Sequence, residues 1–194
     1  MATDQHSVEL VDDDVVKSFA RAAVLAALMA ATVFVGSIPI PFSPVPISLG
    51  VIVVYLAGLY LGPYWGAFSL LLYLTAGAVG LPVFAGGTAG VGSLLGPHGG
   101  YLWGFALGAV VVGAVVAGGV EPPEPGRVSV PRLVAALVAG ALVVYAAGAL
   151  LLVVVSGLSV PKAVATGVLV FVPGEILKMA AAGGIVRSDA VTAT

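Results

Sequence analysis

The chain has 194 residues, 60% of them apolar and 8% charged, with a formal net charge of −2 and a mean hydropathy of +1.19. A soluble domain of this size is about one quarter charged, so the composition excludes water as the main solvent and describes an all-α integral membrane protein. Seven Lys and Arg residues are scattered instead of forming the basic stripe that nucleic acid demands, and no cysteine with two histidines leaves no disulfide, no thiolate nucleophile and little for a metal centre.

A bilayer core of about 30 Å takes roughly 20 apolar residues per helix, and six segments fit. Residues 1–17 read as a polar, acidic leader holding Asp12, Asp13 and Asp14, unlike a cleavable signal peptide, so insertion is expected to use the first segment, 18–35. That segment carries two ladders, Ala22, Ala26, Ala30 and Ala23, Ala27, Ala31, a spacing that lets helix backbones approach closely. The turn GSIPIPFSPVPIS leads to a short second segment, 47–61, and GPYW to a third, 65–81. Residues 82–100 are too long and too apolar for a linker, with Phe84, Val91, Leu94 and Leu95 among glycines. They read as a packed, irregular cap dipping toward the membrane, which backbone does only beside protein or a water-filled cavity. Ser93 here lacks a G-x-S-x-G setting, no phosphate-binding G-x-x-x-x-G-K-[ST] occurs, and His98 in GPHGG reads as a loop residue.

The fourth segment, 101–120, continues the ladders Gly100, Gly104, Gly108 and Ala109, Gly113, Ala117, read as packing within the chain. The fifth spans 133–155. The last runs over 161–186, interrupted by Pro173-Gly174, and 188–194 form a tail, so the membrane domain is 18–187. Six spans put Lys17, Arg21, Arg127, Arg132 and Arg187 at one side against Lys162 alone at the other, which predicts cytoplasmic termini and places loops 36–46, 82–100 and 156–161 on the outer face.

FVPGEILKMAAAGG, residues 171–184, sets Glu175 and Lys178 in the last segment. At i and i+3 they share a helical face. Pro173 suits a helix start, which leaves Glu175 in the first turn, where the dipole favours an anion. An ionisable pair inside a membrane reads as a site by default, with a purely structural neutral pair as the alternative. Carboxylate and ammonium together suit a small ligand with adjacent donors and acceptors, and Tyr101, Trp103, Phe84 and Phe171 could wall it, unless they serve as core or interfacial belt.

PVPISLGVIVVYLAGLYLGPYWGAFSLLLYLTAGAVGLPVFAGG, LLGPHGGYLWGF and FVPGEILKMAAA together resemble the BioY proteins, the biotin-capturing S-components of energy-coupling-factor (ECF) transporters, over nearly the whole chain. The resemblance implies a six-helix protein of the cell membrane with a biotin pocket near the outer face, coupled to a transmembrane partner and two cytoplasmic ATPases, with no cofactor and no catalysis of its own. It places the substrate at Glu175 and Lys178, where the pattern usually has an aspartate and a lysine, so the acid here is one methylene longer. Gly50 and His98 also depart from it, at positions where glutamine and threonine are common. Next in line for the ligand are Tyr101 and the stretch Gly86, Gly87, Thr88, since glycine permits close backbone approach. The same resemblance assigns Ala22, Ala26 and Ala30 to the coupling partner. An S-component for another vitamin, a membrane-embedded enzyme using Glu175 as base, and a passive assembly subunit are the competing readings.

Overall fold

The structure is a computed structural model, and it describes residues 12–35, 37–38, 47–118 and 125–188. Most of the expected leader, nearly all of the C-terminal tail and most of the Pro-rich turn lie outside these. Most of the described residues are helical, and the two strands form a two-residue antiparallel ribbon, Ser37–Ile38 against Ile47–Ser48, in which Ser37 pairs Ser48. Among the described residues, five stretches are long and apolar enough to cross a bilayer: Asp13–Thr32, Gly50–Ala78, Gly99–Ala117, Val130–Ser156 and Val160–Arg187.

Helix α1 (Asp13–Val35) begins five residues before the expected first segment, because the acidic residues Asp13 and Asp14 occupy its first turn, where the helix dipole favours them. The expected second and third segments are one continuous helical stretch, α2 (Gly50–Ala78), folded at Gly62 (φ 74°, ψ −173°) ahead of Pro63. That backbone lies in the region glycine enters without steric cost, and proline then starts the second arm with a preset φ. The second arm folds back on the first: a Cβ on Gly66 would lie 2.8 Å from the carbonyl oxygen of Ala57. At 1.5 Å per residue the first arm, 50–61, is only about 18 Å long, short of a full crossing. The expected second and third segments are thus the two arms of one of the five stretches.

Residues 79–98 contain the short helix α3 (Val91–Leu95) and a small loop in which Phe84 and Thr88 pair. The segment is anchored on α2. Gly90 N–H donates to the Gly77 carbonyl at 2.7 Å, Phe84 stacks edge-on to Tyr73 at 5.5 Å, and the Phe84 ring lies where a side chain on Gly77 would be. Phe84 and Leu94 are buried, whereas Val91 and Leu95 are exposed.

Helices α4 (Gly99–Ala117) and α5 (Val130–Ser156) pack along the glycine ladder. A Cβ on Gly100 would come within 2.1 Å of the Ala147 carbonyl oxygen and one on Gly104 within 2.9 Å of Val144 Cα, while Gly113 on the other ladder meets the Gly62-Pro63 bend. Both ladders of this segment therefore serve intrachain packing, as expected. Gly100→Ala forces these backbones apart and should cost about 1–3 kcal/mol, a clear fall in the thermal midpoint of the purified protein. Gly184→Ala, whose Cβ meets nothing within 4 Å, should leave that midpoint unchanged or raise it, because alanine is the better helix former.

The last stretch is helix α6 (Val160–Gly167), a single turn at Leu169–Phe171 and helix α7 (Val172–Arg187). The interruption falls at Val168 (φ −128°, ψ −64°), a few residues ahead of Pro173-Gly174. Proline sits harmlessly in the first turn of α7, and the Gly167 carbonyl left free at the end of α6 is capped by the Tyr101 hydroxyl at 2.7 Å.

Candidate functional site

The break before α7 sets the site. It begins a new helix inside the bundle, with Glu175 in its first turn and Lys178 in the next. Both side chains are buried, at 4% and 5% exposure, and Lys178 Nζ donates to Glu175 Oε2 at 3.2 Å. Two further donors converge on the carboxylate. Tyr145 on α5 donates its hydroxyl to Oε2 at 2.6 Å, and Tyr55 on the first arm of α2 donates to Oε1. A buried carboxylate must be paired and hydrogen-bonded to be tolerated, and Glu175 has a partner on each oxygen.

Lys178 faces a cavity of about 580 Å³ at the end of the bundle where α1 stops and α4 and α7 begin. This lies within the range of small-molecule sites. Its apolar wall includes Met29, Val51, Phe84, Leu102, Phe105 and Phe171. Tyr145 bridges wall and ion pair, its ring stacked on Phe171 at 5.9 Å and edge-on to Tyr101 at 6.2 Å.

The hydroxyls around the cavity are largely committed as donors. Thr32 donates to Met29 O, Tyr73 to Val83 O, Thr88 to Ala85 O, Ser93 to Ala89 O, Tyr101 to Gly167 O and Tyr145 to Glu175. Each hydroxyl has one hydrogen and two lone pairs, so these six offer a ligand acceptors, while Lys178 keeps two N–H donors beyond its bond to Glu175. The polar side of the cavity is thus one ammonium among hydroxyl oxygens, with the His98 imidazole also on the wall.

Of the residues singled out in the sequence, Lys178, Tyr101, Thr88, Phe84 and Phe171 line this cavity. Glu175 lies behind Lys178 and does not line it. Gly86 and Gly87 also stand off the wall, which is built there by Ala85, Thr88 and Ala89, because the tight loop closed by Phe84 and Thr88 turns the two glycines outward. His98 does line the cavity, more than its reading as a loop residue implied. Trp103 is 43% exposed and is no wall residue: on α4 positions 101, 102 and 105 face inward and 103 and 107 outward. Trp103→Phe should therefore leave ligand affinity within about twofold, the ordinary spread for sites away from the contact, in an equilibrium binding assay.

The alanine ladder of α1 runs along the edge that packs on the chain itself. Ala22 is fully buried and Ala26 and Ala30 pack partly against the chain's own core, because this edge of α1 lies on α2. Ala22 is closed to any partner, and the exposed edge carries Val24, Ala27, Leu28 and Ala31. Tyr55 and Tyr145 were missed by sequence reasoning, and their signal was a tyrosine in mid-helix, away from the interfacial ends where tyrosine concentrates.

A sequence profile of the BioY family matches residues 3–193. The chain belongs to the BioY family. Among BioY relatives it is 35% identical to a biotin transporter BioY of Rhizobium etli over 86% of this chain and 89% of that one. It is 39% identical to a probable biotin transporter BioY of Pyrococcus horikoshii over 81% and 89%. The crystal structure of the S-component for biotin from an ECF-type ABC transporter superposes with a TM-score of 0.81 at 30% identity, covering 92% of this BioY chain and 93% of the other. The fold is therefore that of a multi-pass membrane transport subunit.

Proposed function

We propose that the cavity binds biotin and that the chain is the substrate-binding S-component of a biotin transporter, energised by a separate transmembrane coupling subunit and two ATPases. The observation that carries this reading is a buried lysine, paired from behind with Glu175, facing a largely apolar cavity. Biotin supplies the complement: a ureido group with two N–H donors and a carbonyl acceptor, an apolar thioether ring and an acidic tail. Hydroxyl oxygens take the donors, Lys178 takes an acceptor oxygen, and Phe84, Tyr101 and Phe171 cover the rings. Glu175 holds Lys178 in place, and Thr88 borders the ligand while Gly86 and Gly87 shape the loop that carries it.

The basic residues Arg127, Arg132 and Arg187 lie at the opposite end of the bundle from the cavity, which supports cytoplasmic termini and an outward-facing site. Residues 82–98 then form its outer cap. The coupling subunit meets α1 on its exposed edge, beside the half-buried Ala26 and Ala30.

Equilibrium binding of labelled biotin to the purified protein tests the reading. Saturable binding that unlabelled biotin displaces, and that thiamine, riboflavin and a biotin analogue without the ureido group do not, is the expected result. Displacement by one of those vitamins transfers the site to a different substrate, and absence of saturable binding removes the assignment.

A further inference from the structure

Helix α2 opens on a glycine that its backbone does not need. Gly50 is the first residue of the helix and its φ is not positive, so an L side chain is conformationally allowed there, and alanine would favour the helix. What a side chain at position 50 lacks is room. A Cβ there would lie 2.7 Å from Met29 Cε, 3.1 Å from Met29 Sδ and 3.2 Å from Ser48 Oγ. Met29, on α1, is 1% exposed and is itself part of the cavity wall. The end of its side chain is thus seated over Gly50, in volume that any other residue at position 50 would claim.

We infer that Gly50 and Met29 act as a pair that sets the width of the cavity, and with it the selection of a fused-ring ligand over a slimmer one. Gly50 lets the thioether end of Met29 retract into the wall. Methionine is unbranched, with three rotatable bonds, so a Cβ at position 50 displaces its tip more readily than it displaces either helix. The free volume beside Met29 is the cavity, and the displaced tip narrows it. This deepens the assignment of the cavity to biotin and rests on it.

The probes are biotin and desthiobiotin, which keeps the ureido group and the acidic tail but lacks the sulfur that closes the second ring. Equilibrium affinities for both are measured with the wild type, Gly50→Ala, Met29→Val and the double variant. Gly50→Ala should weaken biotin binding about tenfold or more, the scale of one methylene in a hydrophobic pocket, and should shrink the preference for biotin over desthiobiotin. Its thermal midpoint should hold or rise, because alanine is the better helix former. Valine ends at Cγ, so Met29→Val removes both atoms that the new Cβ would meet. It should raise biotin affinity in the Gly50→Ala background and lower it in the wild type, where it only deletes contact. A pair that serves packing alone would show that reversal in the thermal midpoint and not in the affinity. Biotin affinity within about twofold of wild type in Gly50→Ala, a preference that does not shrink, or Met29→Val acting in one direction in both backgrounds overturns the inference. Should Gly50→Ala fail to fold, Met29→Ala in the otherwise wild-type chain should cost biotin more affinity than desthiobiotin, an equal loss or none counting against it. A wild-type chain that does not bind biotin sinks the ligand assignment instead, so the two failures are separable.

Discussion

Lys178→Met should weaken biotin binding by about 100-fold or more, measured as equilibrium affinity in detergent or nanodiscs. A hydrogen bond to a charged group contributes about 1.5–3 kcal/mol, and each 1.4 kcal/mol is a factor of about ten. The substitution also leaves the Glu175 carboxylate without its cation, so a ligand oxygen entering there meets a negative group unscreened. Retention of affinity within about threefold of wild type, under this same conversion, would place the ligand head elsewhere.

Stability separates a binding site from a merely structural pair. Glu175→Ala strands the Lys178 ammonium in a buried position, and breaking a buried pair by removing one partner costs about 3–5 kcal/mol. It also leaves the hydroxyls of Tyr55 and Tyr145 without their acceptor. The neutral double variant Glu175→Gln/Lys178→Met keeps the volumes, and its amide still meets both tyrosines, so it should regain most of the lost thermal stability. It should nevertheless fail to bind biotin. A pair that serves the fold alone predicts the opposite for the double variant, with stability and ligand affinity moving together. Thermal unfolding and labelled-biotin binding on one set of purified variants distinguish the two.

The parts of the site that were legible in sequence are the local ones. Pro173, Glu175 and Lys178 lie within six residues of one another, so helix geometry alone put acid and base on one face, and the 3.2 Å contact follows. The spacing of Gly100, Gly104 and Gly108 likewise announced a close helix contact, though not that α5 would fill it. What stayed hidden depends on tertiary approach. Tyr55 and Glu175 meet across 120 residues, and only the fold of α2 at Gly62 and the break at Val168 bring them together. The outward face of Trp103 and the burial of Ala22 were hidden for a related reason. Small or aromatic character marks a residue fit for contact, and helical phase against a particular neighbour decides which contact it makes.

The most direct measurement is the structure of the protein with biotin bound. The account predicts biotin within the cavity between Phe84, Tyr101 and Phe171, with one of its oxygens in hydrogen-bond range of Lys178 Nζ and Glu175 still held by Tyr55 and Tyr145. Biotin bound outside that cavity, or inside it with its polar groups all beyond reach of Lys178, would contradict it.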